Sequence, residues 1–287
     1  MKNNTIFNAL TIDVEDYFQV SAFAPYIARS SWNDCECRVE RNVNKILEIL
    51  SHHDVKATFF TLGWIAERYP QLVKDIVSEG HELASHGYGH ERASDLSEKD
   101  FFIDIDSSKK ILEDISGVQI KGYRAPSFSI GASNFWVFEC LERAGYRYSS
   151  SIYPIKHDHY GMPNFSRYPV KISGNFLEIP ITTVKLFNEN LPSSGGGYFR
   201  LFPYFLSKWL LNQINNKENK PAIFYFHPWE IDVQQPRVIG INQKTKFRHY
   251  ININKMENRL HKLLNDFHWD RMDYVFLNKE YNGVDSV

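Results

Sequence analysis

The sequence has few cysteines, almost no net charge and no long apolar run. Its 287 residues include three cysteines, and an odd number does not make a disulfide framework, so we expect three reduced thiols. The formal net charge of −1 offers no excess positive charge for nucleic acid or an anionic membrane surface. No apolar run approaches the ~20 residues of a transmembrane helix, and none follows the first lysine. These absences predict a cytoplasmic protein with neither a transmembrane segment nor a nucleic-acid partner.

The chain does contain enough apolar and aromatic material for a large core. Hydrophobic residues make up 43% of it and aromatic residues 15%, which suits one large α/β domain or two small ones. Apolar segments typical of strands, such as KATFFTLG, alternate with helical patterns, such as VNKILEILSHHDV, and the final apolar segment, DYVFLN, is predicted to be a strand. This alternation favours a parallel sheet covered by helices. About seven such units in this length predict a barrel rather than an open sheet.

Polar side chains follow several of the predicted strands. In barrels of alternating strands and helices, catalytic groups collect at the carboxyl ends of the strands. Residues at these positions are therefore the candidates for a functional site. They are Asp13, Glu15, Asp16, His86, His90, Arg124 and His227.

The stretch ELASHGYGHE, residues 82–91, places two histidines four residues apart. A helical HExxH zinc site is excluded, because no glutamate follows His86 and because Gly87 and Gly89 would each cost a helix roughly 1 kcal/mol. Glycines instead allow a tight loop in which the imidazoles of His86 and His90 converge. Taken alone, the stretch is compatible with half of a metal site or with two solvent-exposed histidines.

The acidic stretch DVED, residues 13–16, could supply the carboxylate ligand that the two histidines lack. Two neutral imidazoles and one carboxylate form a facial ligand set that leaves open positions on a divalent metal. A second carboxylate could then take a proton from water at that metal. An ordinary surface turn is the competing interpretation of the same acids.

Two further residues end predicted strands. Arg124, in YRAPS, could pair with a carboxylate and keep it ionised, or could form a surface salt bridge. His227, in FYFHPW, could be a satisfied core residue, or a general acid if it lies at a barrel mouth.

Together these residues resemble the polysaccharide deacetylase family, the NodB-type carbohydrate esterases. The shared order is an acid cluster after the first strand, then H-x-x-x-H, then R-x-P, and finally a late strand that ends in histidine. The segments ATFFTLGWIAE and GHELASHGYGHE are similar to characteristic segments of the family, and the resemblance covers nearly the whole chain. TIDVEDYFQV and FHPWEIDVQQPR also resemble a narrower branch that is found with exopolysaccharide biosynthesis genes.

The resemblance implies an α/β fold of NodB type, a deformed (β/α) barrel of about seven strands. It implies a single deacetylase domain over residues 1–287, with a branch-specific insertion around 155–200 and a C-terminal region around 229–287. The long irregular stretch 155–200 would shape the substrate cleft. The implied activity is metal-dependent removal of the acetyl group from an N-acetylhexosamine in an oligo- or polysaccharide, in surface or exopolysaccharide synthesis.

The resemblance also assigns roles to residues of this chain. Asp13 would be the general base, paired with Arg124. His227 would be the general acid that protonates the leaving amine. The backbone N–H that follows Pro126, that of Ser127, would stabilise the oxyanion together with the metal.

His86 and His90 would be metal ligands, usually for zinc. The widespread form of the first family motif has two adjacent aspartates, but here Val14 follows Asp13, so the carboxylate ligand would be Glu15 or Asp16. An extended strand places Glu15 on the same side as Asp13, whereas Asp16 has the commoner ligand type.

A second departure from the family concerns the acid histidine. The family often has an aspartate near the position of Ser149, and that aspartate orients the histidine. Serine cannot supply this charge, so Asp158, Glu230 or a backbone carbonyl would have to orient His227.

Two other functions are compatible with the sequence. One is a related amidase that hydrolyses a small cyclic amide or imide. The other is a catalytically weak carbohydrate-binding relative, which the altered first motif and Ser149 favour. The ligand set suits Zn²⁺, Co²⁺, Fe²⁺ or Ni²⁺, and the sequence carries no signal for an oligomeric state.

Overall fold

A mostly parallel sheet with helices around it forms the centre of the protein. The structure is a computed structural model and describes residues 5–157, 160–277 and 285–286. Asp158, one of the groups considered as a partner of His227, lies outside the described residues. In chain order, the strands are β1 (Phe7–Val14), β2 (Thr58–Thr61), β3 (Glu82–Ser85), β4 (Gly122–Tyr123), β5 (Tyr148–Ser149), β6 (Val170–Ser173), β7 (Phe176–Glu178), β8 (Thr183–Leu186), β9 (Glu189–Pro192), β10 (Ile223–Phe226), β11 (His268–Asp270) and β12 (Asp285–Ser286).

Helices connect most of these strands. In chain order they are α1 (Val39–His52), α2 (Gly63–Arg68), α3 (Pro70–Ser78), α4 (Glu98–Ser116), α5 (Val137–Arg143), α6 (Gly196–Leu201), α7 (Tyr204–Asn212), α8 (Gln243–Tyr250), α9 (Ile253–Asp266) and α10 (Met272–Phe276). Local sequence sets their ends, as in α4, where the Ser97 side chain accepts from the Asp100 N–H and Gly117 adopts a left-handed φ of 71°. None of the helices in the described part of the chain has the length and apolarity needed to cross a bilayer.

The main sheet runs in the order β10-β1-β2-β3-β4-β5-β7-β6-β12, and β11 also pairs with β1. All of its strand pairs are parallel except β6 with β7. The structure thus confirms the α/β class and the parallel sheet that the alternating pattern predicts. Within the described residues no strand pairing joins β10 to β12, so the path of the sheet has two ends.

The two faces of the sheet have different surroundings. Along β1, Leu10, Ile12 and Val14 pack into the larger hydrophobic cluster with the outer helices, whereas Ala9 belongs to a second cluster on the opposite face. Side chains alternate along a strand, so Asp13 follows Ala9 onto that inner face. The inner face therefore carries the first acidic candidate to the carboxyl end of β1.

Two expectations about secondary structure were wrong. Most of DYVFLN lies in α10 and does not form a strand. Side chains on β2 and β3 hold the first turn of this helix: Thr58 Oγ1 accepts the Met272 N–H at 2.8 Å, and Glu82 Oε2 accepts the Asp273 N–H at 3.0 Å. The stretch 155–200, expected to be irregular, contains four strands, of which β8 and β9 form a separate antiparallel pair.

Candidate active site

A cavity of about 710 Å³ lies where β1, β3, β4 and β10 end. The acids Asp13 and Glu15 follow or end β1, His86 follows β3, and His227 follows β10. All four line the cavity. Parallel strands present their carboxyl ends at one edge of a sheet, which is why residues so distant in the sequence meet there.

Asp13 and Arg124 form a buried ion pair beside this cavity. Their side chains are 3% and 0% exposed, and Arg124 Nη1 lies 2.6 Å from Asp13 Oδ1. The guanidinium also donates to Thr11 Oγ1 at 2.8 Å and to the carbonyl of Ser150 at 3.0 Å, and it lies over the ring of Phe60. Since these contacts fix the guanidinium, the Asp13 carboxylate is held with its second oxygen available.

Glu15, His86 and His90 form a group with the donor atoms of a metal site. One ligand atom from each lies within 4.8 Å of the other two. His86 Nδ1 is 2.8 Å from the carbonyl of Arg124, a contact that requires a proton on Nδ1 and leaves Nε2 as the ligating nitrogen. Burial is the main cause that lowers the pKa of His86 to about 4, so its imidazole is neutral at pH 7, as metal binding requires.

The Glu15 carboxylate has an unsatisfied oxygen that indicates a cation. Burial raises the pKa of Glu15, but the neighbouring His90 and His227 outweigh it and hold this pKa well below its usual range. Its Oε2 is buried and has no hydrogen bond of acceptable geometry within the described residues, although His90 Nε2 is 2.6 Å away. Buried carboxylate oxygens are normally satisfied, and a divalent metal between these residues would satisfy this one. The three residues therefore fit a metal.

Asp16, the alternative carboxylate ligand, is placed elsewhere. Its Oδ2 accepts the backbone N–H groups of Arg38 at 2.5 Å and Val39 at 2.8 Å, at the start of α1. Its own N–H donates to Gln19 Oε1 at 2.8 Å. Because its oxygens are used by backbone donors, Asp16 connects β1 to α1 and is not part of the group formed by Glu15 and the two histidines.

The histidine loop is shaped by a residue that the sequence analysis missed. Asp104 on α4 accepts the N–H of Tyr88 with both carboxylate oxygens, at 3.1 and 3.3 Å. Gly87 has a φ of +75°, and a Cβ there would lie 2.8 Å from Asp104 Oδ2. The available signal was an acid next to Phe101 and Ile105 on the buried side of an amphipathic helix.

His227 faces the two acids from the other side of the cavity. Its Nε2 lies 3.9 Å from Asp13 Oδ2 and 3.5 Å from Glu15 Oε1, and its Nδ1 lies 2.8 Å from Glu230 Oε1. Its ring stacks on Trp229, whose Nε1 donates to Glu15 Oε1 at 3.3 Å. Burial opposes protonation, but Glu15, Glu230 and Asp13 outweigh it and raise the pKa of His227 to about 9.

Glu230 is in turn paired with Arg200, which the sequence analysis did not single out. The Arg200 Nε atom is 2.7 Å from Glu230 Oε2, and both side chains are 1% exposed. Burial raises the pKa of Glu230, but Arg200 and His227 outweigh it, and the result is a pKa of about 2. His227 therefore faces an ionised carboxylate.

Ser127 lies in the cavity wall with a left-handed φ of 56°. Its Oγ is 2.6 Å from Ser21 Oγ. Ser149, by contrast, bonds to Ser151 Oγ at 2.7 Å. The cavity wall is completed by side chains from several segments, among them Tyr26, Arg92, Tyr160, Asn242 and Thr245.

Two parts of the chain match known sequence profiles. Residues 28–149 match the sequence profile of the polysaccharide deacetylase family, described as "Polysaccharide deacetylase". Residues 150–277 match a domain of unknown function, DUF3473.

Curated relatives align over shorter stretches. A peptidoglycan-N-acetylglucosamine deacetylase of Bacillus cereus is 40% identical over 82 residues, which are 29% of this chain and 30% of the relative. A chitooligosaccharide deacetylase of Azorhizobium caulinodans is 30% identical over 103 residues, 36% of this chain and 48% of the relative. The chain thus spans less than half the length of these two relatives.

A solved structure extends the likeness to the whole fold. A crystal structure of a proposed polysaccharide deacetylase from Mycobacterium smegmatis superposes with a TM-score of 0.60 at 20% identity, covering 94% of this chain and 88% of the other. The histidine loop, Arg124 and Ser127 lie inside the profile match, whereas the acids of β1 precede it and His227 follows it. Residues 28–149 of the chain therefore match a polysaccharide deacetylase domain.

Proposed function

We propose that this protein is a metal-dependent deacetylase that hydrolyses the N-acetyl group of an N-acetylhexosamine within a saccharide. The observation that carries the proposal is the meeting, in one cavity, of a fixed carboxylate, a three-residue metal group and a histidine opposite both. The names of the relatives point to the same substrate class.

Glu15, His86 and His90 would hold a divalent metal, and Zn²⁺ is the ion that the resemblance to the family implies. When bound, such an ion polarises a carbonyl oxygen and lowers the pKa of water. The chain's own contribution at this point is to keep His86 neutral and Glu15 ionised.

Asp13 is the general base in this proposal. Its Oδ1 is held by Arg124, so its other oxygen can accept a proton from the attacking water. The backbone N–H of Ser127 would donate to the oxyanion, since this residue lies in the cavity wall next to Pro126.

His227 is the general acid. As the new C–O bond to acetate is completed, the C–N bond breaks, and the departing nitrogen takes a proton from His227 Nε2. This atom is 3.9 Å from Asp13 Oδ2. His227 follows β10 and Asp13 lies on β1, so the acid and the base reach the cavity from different strands.

The finer features stay predictions. A role in exopolysaccharide synthesis is supported by the resemblance of TIDVEDYFQV and FHPWEIDVQQPR to that branch. A single barrel-like domain is supported by a sheet that takes strands from both profile matches. The cytoplasmic location is a prediction from the sequence alone.

The test is acetate release from N-acetylated chitooligosaccharides and peptidoglycan fragments by the purified protein, with metal removed and with Zn²⁺ restored. We expect release only with metal. Metal content of His86→Ala and Glu15→Gln should fall to background, whereas His227→Ala should keep its metal as the matched control. Metal binding without acetate release from any N-acetylated saccharide would contradict the proposal.

A further inference from the structure

The candidate active site is divided between the two profile matches. His86, His90 and Arg124 lie within the deacetylase match, residues 28–149. His227 and its neighbours Glu230 and Arg200 lie within residues 150–277, the match to a domain of unknown function. This second region therefore contributes to the cavity, although no function is attached to its name.

We propose that Arg200 and Glu230 are positioning residues for His227, so that the region of unknown function supplies the acid half of the active site. The inference rests on the proposed function for its catalytic meaning. Its structural content, a carboxylate that fixes the ring of His227, can be tested separately.

The contacts of Glu230 define the orientation of the His227 ring. Glu230 Oε1 accepts the backbone N–H of His227 at 3.0 Å and faces its Nδ1 at 2.8 Å. Since a carboxylate only accepts, Nδ1 must carry the proton in this contact. Nε2 is then directed at the side of the cavity where Asp13 and Glu15 lie, at 3.9 and 3.5 Å.

Arg200 fixes the other oxygen of the same carboxylate. Its Nε donates to Glu230 Oε2 at 2.7 Å, while Nη1 donates to the carbonyls of His249 at 2.7 Å and Ile251 at 2.8 Å. The guanidinium is thus anchored to the main chain at the end of α8, and the carboxylate has little freedom to rotate. Both side chains are almost completely buried, where an unpaired charge would be costly.

A glycine leaves the space that this carboxylate occupies. A Cβ at Gly196, the first residue of α6, would lie 2.2 Å from both oxygens of Glu230. Any side chain there would displace the carboxylate from His227. The next residue, Gly197, has nothing within 4 Å of its Cβ position.

The arrangement accounts for the missing carboxylate near Ser149. Ser149 bonds to Ser151, and the carboxylate on His227 comes from three residues further along the same segment instead. A turn of 3-10 helix, Pro228–Ile231, brings Glu230 back to His227. The acid and its positioning group therefore belong to one local unit.

The first measurement is the tautomer of His227, observed by ¹H–¹⁵N NMR of the imidazole in metal-free protein at a pH high enough for the ring to be neutral. The wild type should show the proton on Nδ1. Gly196→Ala, which displaces the carboxylate, should lose that preference, and Gly197→Ala should keep it as the matched control. An unchanged His227 tautomer in Gly196→Ala would overturn the inference, whatever the enzymatic activity.

The second measurement compares two substrates. Glu230→Gln removes the negative charge beside His227 and should lower amide hydrolysis by about 10- to 100-fold, with metal content unchanged. Hydrolysis of an activated acetate ester should fall much less, because its leaving group needs no proton. Equal loss on both substrates would overturn the positioning role.

Arg200→Lys, which keeps the charge, should retain more amide hydrolysis than Arg200→Met. If Arg200→Met does not fold, the near-isosteric Glu230→Gln still decides the question. A protein that shows the expected His227 tautomer but hydrolyses no N-acetylated saccharide would contradict the proposed function while leaving the positioning contact intact.

Discussion

The protein has buried acids at both ends of its parallel strands, and the acids at the two ends differ in how fully they are hydrogen-bonded. At the amino ends, Glu82 on β3 accepts from Thr58 Oγ1 at 2.6 Å, from Tyr148 Oη at 3.0 Å and from the N–H of Asp273 at 3.0 Å. At the carboxyl ends, Glu15 keeps an oxygen without an aligned donor beside a cavity.

This difference in hydrogen bonding distinguishes a glutamate with a structural role from a glutamate with a chemical role. Glu82 is satisfied by neutral donors, and burial together with Asp273 raises its pKa to about 7. The pKa of Glu15 is instead held low by surrounding histidines. A buried acid whose donors are complete stabilises the fold, whereas one left incomplete among imidazoles is available to a metal.

The largest expected effect is at Asp13. Asp13→Asn removes the base and keeps the shape of the side chain, so turnover should fall by roughly 10²–10⁴-fold. Metal content should be unchanged, because Asp13 is not one of the three grouped ligands. Glu82→Gln at the opposite end is the matched control and should leave turnover unchanged. Metal loss in Asp13→Asn, with metal kept in Glu15→Gln, would mean that the two acids have exchanged roles.

Next in size is the buried ion pair of Asp13 and Arg124. Arg124→Met leaves Asp13 buried without its cation, which should lower the free energy of unfolding by about 3–5 kcal/mol. In the double variant Asp13→Asn/Arg124→Met, much of this loss should be recovered, since no charge is left uncompensated. Urea denaturation of the four proteins gives the coupling, and strictly additive losses would refute it.

A smaller effect is expected at the histidine loop. Gly87→Ala places a Cβ 2.8 Å from Asp104 Oδ2 at a φ of +75°, so the loop must shift and metal affinity should fall by about 10- to 100-fold. Gly117→Ala is the matched control, because its φ is +71° and nothing lies within 4 Å of the added Cβ. It should cost only backbone strain, about 1–3 kcal/mol. Equal metal affinity in the two variants, measured by calorimetry, would contradict a role for the loop geometry.

The site residues at the carboxyl ends of the strands could be predicted from the sequence, whereas the side chains that position them could not. Asp13, Glu15, His86 and His227 could be placed together because each follows an apolar strand and parallel strands align their ends. Side chains that act on one another across the fold leave no such pattern. Arg200, for example, reaches Glu230 from 30 positions away, and nothing near it in the sequence marks it.

Local patterns also misled where tertiary contacts decide the outcome. DYVFLN has strand-forming residues, yet Thr58 and Glu82 accept the N–H groups of Met272 and Asp273 at the start of α10 and hold the segment as a helix. Asp16 has the commoner ligand type, but the N–H groups at the start of α1 use its carboxylate. In both cases a backbone donor and a distant side chain determined the structure, and neither can be read from periodicity.

The smallest expected effect concerns Glu82 and pH. Its folded pKa is raised by burial and by Asp273 from 4.5 to about 7, so the folded state binds a proton that the unfolded state releases over this range. The stability that the protonated form contributes is complete below pH 4.5 and is lost as pH rises through 7. Glu82→Gln cannot ionise and keeps most of the contacts, so it should remove this slope and be more stable than the wild type by about 1 kcal/mol or more at pH 8. Chemical denaturation of both proteins at pH 5 and pH 8 measures the difference, and a parallel pH dependence in the two would show that Glu82 ionises at its ordinary pKa in the fold.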